Sequence, residues 1–171
     1  MRVFLIGFMC SGKTRIGRAL APLMGLQWAD VDRVIEQRIG PITPWVLREG
    51  EAAFRAVERE VLLELLEQDG LVVSCGGGTP MSADNMERMR AAGTVVYLDV
   101  PLDVLIDRCA RVGRDRPLLF GLDDAALCAR IKGLLAERLP TYRRAHLHVQ
   151  AADDPTAIAE RIAERLKVQD R

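Results

Sequence analysis

The chain has 171 residues, enough for one domain that buries about 70% of its unfolded surface without a metal or disulfide staple. Its 24 basic and 24 acidic residues balance, which argues against nucleic acid or an anionic membrane as a partner. Four cysteines without a C-x-x-C pair and two histidines argue against zinc and a disulfide framework, and no apolar run approaches membrane-spanning length.

Arg2 to Ile6 is a β-branched and aromatic run, as a buried parallel strand requires. The chain enters this strand at once, so no secretory leader is expected. Gly7-Phe8-Met9-Cys10-Ser11-Gly12-Lys13-Thr14 follows and reads G-x-x-x-x-G-K-T. Beyond it Ile16, Leu20, Leu23 and Met24 recur at helical spacing. A glycine-rich loop between strand and helix aims backbone N–H groups inward at the positive end of the helix dipole. That is a phosphate cradle. Gly7, Cys10, Ser11 and Gly12 line it, Lys13 reaches the β- and γ-phosphates, and the Thr14 hydroxyl suits Mg²⁺. The expected ligand is a nucleoside triphosphate, which with reduced thiols points to the cytoplasm.

Residues 26–29 form a short second strand ending at Asp30, and Asp32 to Ile39 reads as a helix stopped by Gly40-Pro41. Thr43-Pro44 offers an N-cap followed by proline at the first helical position. A long helix runs from Glu51 to Gln68, with Phe54, Val57, Val61, Leu62, Leu65 and Leu66 on one face. Leu71 to Cys75 is a buried strand running into Gly76-Gly77-Gly78. Residues 94–98 form another strand, Pro101 opens a helix, residues 146–149 form the last strand, and Asp154-Pro155 caps a C-terminal helix. This alternation predicts an α/β, three-layer sandwich around a mostly parallel five-stranded sheet. Two stretches fall outside the layers: a helical excursion at 33–60 and an arginine-rich segment at 111–122. Both begin at the carboxyl end of the strands, where parallel sheets bind ligands, so they are candidates for a substrate-binding segment and a lid.

A switch GTPase is disfavoured. The only asparagine is Asn85, followed by methionine, so there is no N-K-x-D, and no D-x-x-G occurs. The Mg²⁺ needs a carboxylate beyond Thr14, and Asp30 supplies one, directly or through a bound water. Asp32, two residues on, can reach an acceptor hydroxyl and take its proton. Asp99 competes for the metal, although the nearby Pro101 suggests a part in starting a helix. The three glycines imply close backbone approach to a ligand, with amides free to donate. Arg55, one turn into the long helix, and Arg138, late in another, suit bidentate capture of an anionic substrate. Arg108 precedes the lid, and of Arg111, Arg114 and Arg116 the last is the best-defined candidate to meet the transferring phosphoryl group.

These motifs, in this order, resemble a shikimate kinase from about residue 3 to residue 167. The resemblance rests on the P-loop continuing into Thr14-Arg15-Ile16-Gly17-Arg18-Ala19-Leu20-Ala21, on Asp30-Val31-Asp32, and on Gly50-Glu51-Ala52-Ala53-Phe54-Arg55 with Glu58. It rests also on Gly76-Gly77-Gly78, on Arg116-Pro117-Leu118-Leu119, and on Arg138 with Tyr142-Arg143. It implies a single P-loop kinase domain over 1–171, built like the nucleoside monophosphate kinases. The implied reaction uses ATP and Mg²⁺ to phosphorylate the 3-hydroxyl of shikimate, on the route to chorismate and aromatic amino acids. By the same resemblance Asp32 meets the shikimate hydroxyls, and Arg55 and Arg138 hold its carboxylate. Gly76, Gly77 and Gly78 line that pocket, Arg108 lies against adenine, and Arg116 belongs to the closing lid. Lys13, Asp32 and Arg116 are the expected catalytic groups, and a monomer is expected. The chain departs from the pattern at Trp28, at Pro44-Trp45-Val46, and at residues 149–155, which lack a basic residue. A gluconate kinase is the nearest alternative enzyme, and a nucleotide-binding regulatory module the alternative of another class.

Overall fold

A computed structural model describes residues 1–169. Five strands form one sheet: β1 (Arg2–Ile6), β2 (Gln27–Asp30), β3 (Leu71–Ser74), β4 (Thr94–Asp99) and β5 (Leu147–Gln150). Their order is β2-β3-β1-β4-β5, and every pairing is parallel. The helices are α1 (Lys13–Met24), α2 (Val31–Ile39), α3 (Ile42–Glu49), α4 (Glu51–Leu66), α5 (Asn85–Ala92), α6 (Leu102–Val112), α7 (Asp124–Tyr142) and α8 (Pro155–Gln169).

The connection from β1 to β2 crosses the sheet in the opposite direction to the other three. Right-handed crossovers therefore place α1 on one face and α4, α5 and the α6–α7 pair on the other. The C-terminal α8 returns to pack on α1. With both faces covered, the central strands are apolar without alternation: Val3, Phe4, Leu5 and Ile6 of β1 and Leu71, Val72 and Val73 of β3 are buried. Edge strand β5 instead alternates, with Leu147 and Val149 inward and His148 and Gln150 exposed.

Two local details differ from expectation. Helix α3 starts at Ile42 with Pro41 before it, so Thr43 lies inside the first turn and caps nothing. Its hydroxyl instead donates to the Asp115 carbonyl, tying the helical excursion to the arginine-rich segment. The short α5, which buries only Asn85, Met86 and Met89, has too little apolar periodicity to be read from the sequence.

Trp28, the unusual residue of β2, has a clear structural purpose. Its ring lies between the Arg18 and Arg33 guanidinium groups, at 5.5 and 5.2 Å. Its indole N–H donates to Ser74 Oγ (3.1 Å), and Ser74 in turn donates to the Lys13 carbonyl (2.9 Å). The first turn of α1 is thus pinned to β2 and β3. Gly17 makes room for this contact, because a β-carbon there would lie 2.4 Å from Ser74 Oγ and 2.7 Å from Trp28 Nε1. Gly17→Ala is expected to destabilise the fold by about 1–3 kcal/mol in urea unfolding, the usual range for overpacking. An unchanged unfolding midpoint would contradict this packing.

Candidate active site

The phosphate cradle forms where β1 meets α1. Gly12 adopts φ 93°, in the left-handed region, and serves as N-cap of α1. Cys10 takes φ 62° without being glycine, and Ser11 N–H closes the turn onto the Phe8 carbonyl. Lys13 is 9% exposed, and its ammonium donates to the carbonyls of Gly7 (2.8 Å) and Phe8 (2.7 Å) and to Ser11 Oγ (3.3 Å). Burial lowers its pKa to about 8; nearby Arg116 adds repulsion, and Asp32 opposes the shift.

At the carboxyl end of β2, Asp30 performs two tasks. One oxygen accepts from the Arg33 N–H (3.4 Å) as the N-cap of α2, and the other accepts from the Thr14 hydroxyl (2.5 Å). Hydroxyl and carboxylate at the mouth of the cradle form a hard-oxygen pair that suits Mg²⁺ completed by phosphate oxygens and water. Among the described residues no group of three or more His, Cys, Asp or Glu side chains is placed to hold a metal ion by itself, so a cation there needs the ligand's oxygens. Asp99, the other candidate, is engaged by Gln150 Nε2 (2.8 Å) and the Tyr97 hydroxyl (3.3 Å), and Pro101, not Asp99, stands at the start of α6.

Two clefts meet at this point. The first, about 550 Å³, is lined by Asp32, Arg55, Gly76, Gly77, Gly78 and Arg138; the second, about 450 Å³, by the cradle, Arg108, Ala151, Asp153, Pro155 and Ile158. Thr14, Asp30, Asp32, Gly77 and Arg116 border both. The side chains at 32, 55 and 138 therefore converge beside the phosphate cradle. Burial raises the Asp32 pKa, with Asp30 and Glu58 adding to the rise, while the Arg116 guanidinium opposes it from 3.5 Å.

The three arginines expected near the lid have different surroundings. Arg111 pairs with Asp107, and Arg114 braces its own segment through Asp124 and the carbonyls of Ala110 and Leu122. Arg116 alone of the three faces both clefts. Arg108 donates to the Cys10 carbonyl (3.3 Å) at the wall of the second cleft.

On the opposite wall, Glu58 is 1% exposed and accepts from Arg55 (2.8 Å) and from Thr79 Oγ1 (2.7 Å). Arg55 also meets Glu51 at 3.3 Å. Arg138 differs from it. It is 5% exposed and packs over the Phe8 ring at 5.7 Å, yet no carboxylate partners it among the described residues. A guanidinium so deeply desolvated, with its free donors toward a cavity, is configured for an anion.

The three glycines line the first cleft and also make room for their protein neighbours: a β-carbon at Gly76 would lie 2.8 Å from Glu58 Oε2, at Gly77 3.1 Å from the Met9 backbone nitrogen and 3.3 Å from Arg138 Nη1, and at Gly78 2.3 Å from Arg55 Nη2. The Tyr142 hydroxyl, its pKa pushed up to about 12 by burial, fastens the loop by donating to the Gly77 carbonyl (2.5 Å). Sequence reasoning missed Thr79 and Met9. Thr79 directly follows the glycines, a position that could have suggested a contact with the buried Glu58. Met9 lines both clefts from inside the cradle, and its identity carries no signal of that role.

The family model described as shikimate kinase matches residues 9–167. A shikimate kinase of Halorhodospira halophila is 43% identical over 171 residues, covering 98% of this chain and 94% of the relative. The solved shikimate kinase of Bacteroides thetaiotaomicron superposes with a TM-score of 0.89 at 36% identity, covering 98% of each chain. The Acinetobacter baumannii shikimate kinase, solved in complex with shikimate, gives 0.91 at 34% identity, covering 98% of this chain and 93% of that one.

The lowered pKa of Lys13 has two consequences of opposite sign. An unfolded lysine keeps its proton to about pH 10.4, so the cost of burying the ammonium weighs on the folded state below about pH 8 and is relieved above it. The phosphates, however, need the ammonium. Affinity of the free protein for ADP is expected to fall as pH rises through about 8, and Lys13→Met should remove that dependence. Calorimetric titration on both sides of that pH measures it; affinity independent of pH in the native protein would count against Lys13 as the phosphate contact.

Proposed function

The chain belongs to the shikimate kinase family, and from that premise we propose that it transfers the γ-phosphoryl group of ATP to the 3-hydroxyl of shikimate. The products are shikimate 3-phosphate and ADP, on the route to chorismate and the aromatic amino acids. The observation that carries this reading is Arg138: a buried guanidinium without a carboxylate partner among the described residues, in a cleft that also holds Arg55 and Asp32. A neutral acceptor would leave that charge uncompensated, whereas a hydroxy acid supplies a carboxylate for the arginines and a hydroxyl for the aspartate.

In this reading the nucleotide phosphates lie in the cradle of Gly7, Cys10, Ser11 and Gly12, with adenine against Arg108. Lys13 leaves its loop carbonyls for the β- and γ-phosphate oxygens. Thr14 and Asp30 hold Mg²⁺, which when bound neutralises developing charge on those oxygens. Arg55 and Arg138 grip the shikimate carboxylate beside Gly76, Gly77 and Gly78, which sets the 3-hydroxyl near Asp32. The hydroxyl oxygen attacks phosphorus as the bond to the bridging oxygen breaks, and Asp32 orients the hydroxyl and accepts its proton. Its raised pKa suits proton acceptance, and its pairing with Arg116 favours the ionised form the step requires. Arg116 then meets the transferring group.

We read the chain as one kinase domain. Residues 33–60 are its substrate-binding segment and 111–122 its lid, supported by the exposed Phe120 (56%) and by the Thr43–Asp115 bond joining the two segments. Four free thiols fit a cytoplasmic enzyme, and we take it to act as a monomer.

A coupled assay should find ATP consumption stimulated by shikimate and not by gluconate; the reverse preference would reject the assignment. Arg55→Ala would strand the buried Glu58 carboxylate, so Arg55→Lys is the cleaner variant, keeping the charge and losing the fork. It is expected to raise the shikimate KM roughly tenfold to a hundredfold, as loss of one charge-assisted hydrogen bond implies, with little change in the ATP KM. Equal changes in both would remove Arg55 from acid binding.

A further inference from the structure

The phosphoryl-transfer scheme gives no task to the thiol of Cys10 or to Cys109. Cys10, at the wall of the nucleotide cleft, reaches the end of α6 with its sulfur. The position a β-carbon would take on Gly113 lies 3.0 Å from Cys10 Sγ and also 3.0 Å from the Cys109 α-carbon. The absence of a side chain at Gly113 therefore lets Cys10 Sγ lie against the backbone of α6 one turn past Cys109. Cys109 Sγ lies 3.9 Å from the Met9 carbonyl, one residue from Cys10, so both sulfurs face the junction of the cradle and α6. Both are free in this structure.

The two sulfurs differ in character. Cys10 is half-buried and lines the nucleotide cleft, so a small reagent reaches it by the path a phosphate would take. The hydrogen bond from Cys109 is the largest influence holding its pKa down at about 6; Arg116 and Lys13 add positive potential, and burial opposes them. Cys109 is fully buried, and its own pKa is raised, chiefly through its hydrogen bond with Cys10. A reactive thiolate at the cleft with a protonated thiol behind it is the arrangement of an attacking and a resolving cysteine. Cys75, by contrast, is buried beside Met89 with its pKa raised by desolvation.

We propose that Cys10 and Cys109 form a thiol–disulfide switch, in which a hydroperoxide entering the nucleotide cleft oxidises Cys10 and Cys109 resolves it, closing the nucleotide site reversibly. The Cys10 thiolate attacks the terminal peroxide oxygen. The O–O bond breaks, its electron pair leaves on the hydroxide or alkoxide, and Cys10 becomes a sulfenic acid while the peroxide is reduced. Cys109 sulfur then attacks Cys10 sulfur; the S–S bond forms as the S–O bond breaks, and hydroxide leaves with the Cys109 proton as water. The cross-link ties the cradle to α6 beside Gly113, where the segment carrying Arg116 begins. The loop can then no longer adjust around phosphates. This goes beyond the proposed reaction and rests only on the nucleotide site.

The test treats the ligand-free full-length enzyme with hydrogen peroxide and follows intact mass, peptide maps, binding of a fluorescent ADP analogue and turnover. The expected result is loss of two hydrogens in mass and a linked Cys10–Cys109 peptide. Nucleotide binding and turnover should be lost in step with that peptide, dithiothreitol should restore both, and ADP should protect. Cys109→Ala should instead gain oxygen at Cys10 that dithiothreitol fails to remove after prolonged exposure; if that variant does not fold, the native peptide map decides alone. Oxidation confined to Cys128 or methionine, or a Cys10–Cys109 disulfide that leaves nucleotide binding intact, would overturn the switch. An untreated enzyme inert toward shikimate would refute the kinase reading while leaving the mass and binding readouts able to judge the switch.

Discussion

Just past the end of β3 stand three residues without side chains, Gly76, Gly77 and Gly78, and the shape of the cleft depends on them. A β-carbon at Gly76 or Gly78 would press against Glu58 or Arg55, and one at Gly77 would crowd both the Met9 backbone nitrogen and Arg138. Helices α4 and α7, which carry these groups, approach the sheet from a different direction than the cradle does, and only bare backbone lets all of them reach one point. Tyr142, one turn beyond Arg138 on α7, fixes the spacing through its bond to the Gly77 carbonyl. The entropy cost of three consecutive glycines is thereby offset by rigid attachment on both sides.

That close approach makes the site electrostatically unfinished. Lys13, Arg55, Arg116 and Arg138 gather around Asp30, Asp32 and Glu58 where solvent screening is poor. Burial is the largest influence moving the Lys13 and Asp32 pKa values toward neutrality; like charges nearby add to it, and the opposite charges of Asp32 and Arg116 respectively oppose it. Arg138 has no carboxylate partner among the described residues, and Lys13 meets only carbonyls and a hydroxyl. A phosphate chain in one cleft and a carboxylate in the other would supply the missing negative charge, so binding of two anions and the build of the site are one problem. Preorganised cations of this kind stabilise charge as it moves between ligands without reorganising during the reaction.

Much of this was legible in the chain, for identifiable reasons. Gly7 to Thr14 combines local backbone demands with chemistry, and flanking strand and helix patterns fix its setting. Asp30 and Asp32 were legible because a strand end places both beside the cradle; that Asp30 both caps α2 and meets Thr14 follows from the same short spacing. The glycines announced a close approach but not its object, since the side chains they admit come from positions about 20 and 60 residues away. Thr43 was misread because Thr-Pro is a strong local cap signal, whereas its partner Asp115 is a tertiary contact. The Pro117-Leu118-Leu119 that follows Arg116 marked it out from Arg111 and Arg114, but not the physical reason: Asp107 and Asp124 occupy the first two, while Arg116 faces the clefts.

Recognition of a carboxylate by the buried Arg138 is the claim on which the acid-substrate reading stands. Calorimetric titration of shikimate and of its methyl ester, each against the native enzyme and Arg138→Met, tests it most directly. The native enzyme should bind the acid far more tightly than the ester, and Arg138→Met should lose most of that preference. Equal affinity of the native enzyme for acid and ester would contradict it.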